Sequence, residues 1–185
     1  MDPVLSLQVP TPGQFAVRRG WLSDPDMMSY NAGWSLTHPG YDPVTGCIDW
    51  PESQWPDFAA RLALPVSVHG YYYVQDIATG EFIGHVHYLV DDARVAGIGF
   101  NVVPARRGGG LGRAFLRLLL ERVWQDTAAV VAVNEFEDER EPAVRTHRAC
   151  GFAPNENTAR RYGRETRTWR LPRPEAGTTG QGARR

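Results

Sequence analysis

The sequence predicts a mixed α+β domain built on one mostly antiparallel sheet of about six or seven strands, flanked by about four helices. Three observations predict it. Three strand-like segments follow one another at 66–76, 81–91 and 94–103; a glycine-rich loop then opens a helix at 111–125; a continuous apolar run follows at 128–136. With 42% hydrophobic and 22% charged residues, the 185-residue chain can bury one core without disulfides or metals.

Residues 3–9 alternate as a first strand does. Thr11 and Pro12 offer a cap and an N1 proline for a helix running to about Leu22. Asp24-Pro25 stops it, because a residue before proline is pushed out of the α region. From Ser23 to about Trp55 the text is rich in Gly, Pro and aromatics without a clear period, and loops this long in compact domains are usually functional. A short helix at 58–64 ends at Pro65. The segments 66–76 and 81–91 flank the turn Ile77–Gly80 as an antiparallel hairpin, and 94–103 is a third strand stopped by Pro104. In 111–125, Leu111, Phe115, Leu118, Leu119 and Val123 share one helical face. The run 128–136 reads as a strand covered on both faces. A helix over 141–150 and strands near 152–157 and 164–171 complete a domain at 1–171, with a disordered tail expected at 172–185.

Composition narrows the function. The net charge of −1 supplies no field that would draw nucleic acid or a membrane surface. All positive charges are arginine. Cys47 and Cys150 show no metal-binding spacing, so no metal and a reduced, cytoplasmic protein are expected. The start MDPVLSLQVP lacks a cationic, apolar leader pattern.

The strand–glycine loop–helix unit carries the chemistry. The first amides of a helix lack intrahelical acceptors and the macrodipole leaves partial positive charge there, so a glycine-opened helix start suits a phosphate-bearing ligand. A nucleotide P-loop requires a lysine, and the chain has none. A dinucleotide fingerprint requires a glycine where Phe115 stands.

The stretch Arg107-Gly-Gly-Gly110-Leu-Gly112 resembles the Q/R-x-x-G-x-G/A signature of the GNAT superfamily, the acyl-CoA-dependent N-acetyltransferases. Val102-Val103-Pro104 is similar to that family's V-x-P lead-in, and THRACGF at 146–152 is similar to its LYEKLGF ending. The resemblance covers about 82–153 and implies a sheet splayed between 94–103 and 128–135. It also implies acetyl-CoA as donor. The pyrophosphate would lie on Arg107, Gly108, Gly109, Gly110, Leu111 and Gly112 beside Arg113, and the pantetheine arm against Phe100, Val102 and Val103.

Two positions depart from the family pattern. The tyrosine that commonly serves the thiolate is replaced by His147, an expected acid. The strand position that often bears a base glutamate is Gly97, so the base is expected from His85 or His87, or from Glu135 through water. Glu137 reads as a solvated strand-end carboxylate, and Asn134 as a group that satisfies splayed backbone. Tyr30, Asn31 and Trp34 of the aromatic insert, with Tyr72 beside them, are expected to line a pocket for a small-molecule amine. A homodimer is left open. The competing readings are a non-catalytic acyl-CoA-binding module and a protein or peptide N-acetyltransferase.

Overall fold

A computed structural model describes residues 3–175. Its strands are β1 (Leu5–Gln8), β2 (His69–Asp76), β3 (Phe82–Val90), β4 (Val95–Val102), β5 (Val131–Phe136), β6 (Ala153–Arg161) and β7 (Arg164–Pro172). They form one sheet in the order β1-β2-β3-β4-β5-β7-β6. All neighbours are antiparallel except β4 and β5. The helices are α1 (Phe15–Leu22), α2 (Pro25–Met28), α3 (Trp55–Leu62), α4 (Leu111–Asp126) and α5 (Glu141–Ala149).

The period of two divides the sheet into two faces. On one, Val74, Val86 and Ile98 pack with Phe115, Leu116 and Leu119 of α4. On the other, Tyr71 and Tyr73 pack with Phe15, Trp50 and Phe58 under α1, α3 and the insert. Helix α4 buries Leu116 and Leu120 where the sequence placed Leu118, which is only half-buried. A helix lying flat on a sheet covers a wide stripe, so the buried face takes in more than one row.

The local signals act one by one. A 3-10 turn at Pro12–Gln14 precedes α1, and Gln14 Oε1 accepts from the Thr11 N–H at 2.9 Å. Asp24 both ends α1 and starts α2, which the aperiodic text did not announce: its Oδ1 accepts from the N–H groups of Asp26 (2.9 Å) and Met27 (3.3 Å). Ordered structure runs past 171. Pro172 closes β7, and the Arg173 guanidinium donates to the carbonyls of Ala129 (2.7 Å) and Thr127 (2.6 Å). The rest of the expected tail, 176–185, lies outside the described residues.

The splay is present. Strands β4 and β5 pair only over Val95–Gly97 and Val131–Val133. Beyond that point β4 stays with β3 as far as Val102, and β5 stays with β7 as far as Phe136. Each half of the sheet follows its own twist, and a wedge opens between them.

Candidate active site

The wedge is lined by backbone. Val95 O accepts from Asp91 N–H and Val103 N–H donates to Ile83 O, so alternate β4 residues from Val95 turn their polar groups to β3. Phe100 therefore turns its groups into the wedge, beyond the last pair Gly97–Val133, where no strand answers them. Side chains close its two ends. Arg107 Nε donates to Val102 O at 3.0 Å, and Asn134 Oδ1 accepts from Glu135 N–H at 2.9 Å, the backbone-satisfying role expected of Asn134. Of the residues expected against the pantetheine arm, Phe100 thus faces the wedge freely. Val102 has its carbonyl occupied, and Val103 has its N–H occupied.

The glycine loop follows at once. Gly110 is the N-cap of α4 with φ +80°, a left-handed conformation that side chains disfavour. A Cβ built at Gly108 or Gly109 meets nothing within 4 Å, so the space above the loop is open. Arg113 N–H returns to Gly110 O at 3.0 Å, whereas Leu111 and Gly112 begin the helix and have no intrahelical acceptor. The Arg107 side chain points away from these amides: besides Val102 it donates to Asp26 O (3.1 Å) and Asn101 Oδ1 (3.3 Å). It fastens α2 to the wedge instead. An open, glycine-lined helix start next to unpaired strand backbone fits a ligand with a phosphate end and an amide-bearing arm.

His147 lies on the α4–α5 side of the wedge, with its ring 5.8 Å from that of Phe100 and 1% exposure. Its Nδ1 lies 2.8 Å from Ala143 O and so carries the proton. Its Nε2 then accepts from Asn134 Nδ2 at 3.1 Å, an orientation set by the bond from Asn134 Oδ1 to Glu135. Burial depresses its pKa to about 4. With both nitrogens engaged and the ring neutral at pH 7, His147 has no N–H free for a thiolate. In place of a free N–H, His147 offers hydrogen bonds to Ala143 and Asn134.

On the opposite face, register sets Tyr71, His87 and Gly99 in one row across β2, β3 and β4. His85 and His87 stack with Tyr71 at 5.3 and 6.1 Å, and Trp21 stacks with His85 at 5.8 Å. Gly99 permits this: a Cβ there would lie 2.4 Å from His87 Cε1. Burial, reinforced by the nearby Arg18 charge, lowers the His87 pKa to about 4 and holds that of His85 well below its ordinary value. Both are neutral at pH 7, and weak bases. Tyr72 is the plain misplacement. It points to the α4 face, where the Arg122 guanidinium lies 5.6 Å from its ring, and strand alternation gives the opposite face to Tyr71.

The insert supplies the rim. Tyr41 Oη donates to the Asn31 (2.6 Å) and Trp34 (2.9 Å) carbonyls, which fixes that loop. Tyr30 lies beneath the Arg140 guanidinium, 5.3 Å away, and burial raises its pKa against the pull of Arg18 and Arg140. Trp34 and Glu135 line one open depression of about 420 Å³ with Arg160, Arg161 and Tyr162 of the β6–β7 hairpin. Glu135 is on the same face as Gly99 and half-exposed; its Oε1 accepts from Thr166 Oγ1 at 2.5 Å and lies 3.4 Å from Arg161 Nε. Glu137 is not the solvated carboxylate expected. Its side chain is 15% exposed, Oε1 accepts from Trp34 Nε1 at 2.8 Å, and Oε2 is buried without a hydrogen-bond partner. Arg18 and Asn101, near the wedge, are not singled out by the sequence, and Glu137 reads there as solvated.

Comparison with known proteins agrees with this geometry. The family model described as Acetyltransferase (GNAT) family matches residues 35–152. No curated protein matches the chain. Among solved structures, spermidine N-acetyltransferase from Vibrio cholerae, in complex with CoA and spermine, has a TM-score of 0.72 at 16% identity, covering 91% of this chain and 95% of its own. A phosphinothricin acetyltransferase from Sinorhizobium meliloti, in complex with acetyl-CoA, has a TM-score of 0.69 at 16% identity, with 98% and 94% covered. An aminoglycoside acetyltransferase in complex with coenzyme A gives 0.67 at 18%, with 92% and 95% covered. These likenesses show the fold. The family match spans well over half of the chain and takes in the wedge and the glycine loop, so the chain belongs to the GNAT family of acetyltransferases.

Proposed function

We propose that the protein moves the acetyl group of acetyl-CoA to a primary amine of a small molecule, by direct attack in a ternary complex. The observation that carries this reading is the wedge, whose free backbone at Phe100 leads straight to the glycine-opened start of α4. The pyrophosphate would rest on the amides of Gly108 to Gly112, and the pantetheine arm would pair with Phe100 as an added strand. The thioester would then face amines entering from the side of Tyr71, His87 and Gly99.

In the transfer, the amine nitrogen bonds to the acetyl carbon, the carbon–sulfur bond breaks, and the nitrogen loses a proton. Glu135, across the wedge from Gly99 and held by Thr166 and Arg161, would take that proton through water. The thiolate departs towards Asn134, which the neutral His147 holds in place. His147 is a positioning residue here.

Acetyl-CoA is expected to raise the melting temperature while ATP and NAD leave it unchanged. Release of free CoA thiol across a panel of amines then tests transfer. Binding without thiol release from any amine favours a non-catalytic acyl-CoA-binding module. Release only with peptides would move the acceptor to protein N-termini.

A further inference from the structure

The acceptor face holds a cation with no counter-charge. The Arg18 guanidinium sits over the rings of Phe58 (4.8 Å), Tyr71 (5.1 Å) and Trp50 (5.3 Å). NH1 donates to Tyr71 Oη at 2.5 Å, while Nε is buried without a partner. Among the described residues no carboxylate pairs with it. Alongside, Nδ1 of His85 and Nδ1 of His87 are also buried and unpartnered. Arg18 is half-buried, and a guanidinium carries five donors that bind planar carboxylates in a forked geometry.

We propose that Arg18 seats a carboxylate of the acceptor, so that the substrates are amino carboxylates. This rests on the acetyl-transfer reading above and names the substrate class for the same site. The aromatic box that could cage a cationic amine is already filled by the protein's own guanidinium, which disfavours polyamines there. The row Tyr71–His87–Gly99 connects this seat to the wedge. It spans two strand spacings, roughly 9–10 Å, which suits an amine several bonds from its carboxylate.

The test is calorimetric titration of the CoA-loaded protein with a ladder of ω-amino acids from glycine to aminohexanoate, with lysine and ornithine. Each is matched by its carboxamide, and spermidine is added as a polycation. Acids are expected to bind about 100-fold more tightly than their amides. Arg18→Met should erase that preference and Arg18→Lys should keep part of it, while both variants retain the wild-type melting shift with acetyl-CoA. Equal binding of acids and amides, binding of neither, or a preference that survives Arg18→Met overturns the proposal. Thiol release separates the two readings. Acids that bind but are never acetylated leave the carboxylate seat standing and sink acetyl transfer. Amides and spermidine acetylated as well as acids do the reverse.

Discussion

The two sides of the sheet solve recognition with different materials. On the α4 side of the wedge the groups offered to a ligand are mainly backbone: the free strand amide and carbonyl of Phe100, then the first amides of a helix. On the other side they are side chains drawn from separate segments, with Arg18 from α1, Tyr30 from the insert, Tyr71 from β2 and His87 from β3. A backbone site is made by local conformation, and it reads features shared by every acyl-CoA. A side-chain site is made by packing between remote segments, and it can be rebuilt without disturbing the first.

Four experiments test that contrast. Phe115 is fully buried and holds α4 against the sheet, so Phe115→Ala should cost about 3–5 kcal/mol in chemical denaturation. Loss of acetyl-CoA binding should accompany it. A variant that unfolds normally but still binds would show that the loop does not depend on helix packing.

Acid should weaken the fold through histidines on both sides. Above pH 6.5, His147 is neutral in the folded and the unfolded chain. Between 6.5 and about 4 only the unfolded chain takes the proton, so stability falls as pH drops through that window. The loss from His147 is about 3 kcal/mol, and it levels off below pH 4. His87 acts in the same direction from the acceptor side. Denaturant midpoints measured from pH 7 to 4 should flatten in His147→Gln and, separately, in His87→Gln; a slope unchanged in both would refute the burial argument.

Gly110→Val places a β-branched residue at φ +80° in the loop, and acetyl-CoA affinity should fall about 100-fold by calorimetry. Acceptor binding to the variant should persist, which separates the two sides. The smallest effect tests the faces of one strand. Tyr71→Phe removes the hydroxyl that meets Arg18 and should raise the acceptor KM about 10-fold, whereas Tyr72→Phe should leave it unchanged. Equal effects would mean that the face assignment is wrong.

Much of this was legible in the text. The hairpin, the third strand, α4 and the loop all follow from short-range periodicity and punctuation, and the element boundaries fall within a few residues of expectation. Other features were not. Alternation says that Tyr71 and Tyr72 face opposite ways, but not which way the insert lies. Glu137 looked solvated because nothing local reveals that Trp34, 103 residues away, covers it. His147 looked like an acid because its spacing from Gly151 resembles the family's tyrosine position. Its ring nitrogens are decided by Ala143, one turn back, and by Asn134 on another element.

By itself, then, the sequence determined the donor side. A left-handed Gly110, a lysine-free anion loop and the strand before it are properties of consecutive residues, because backbone conformation is set locally. The opposite face, where we propose that the acceptor binds, follows from long-range packing. Arg18 meets Tyr71 across 53 residues of chain, and which groups surround its guanidinium depends on packing that no local pattern encodes.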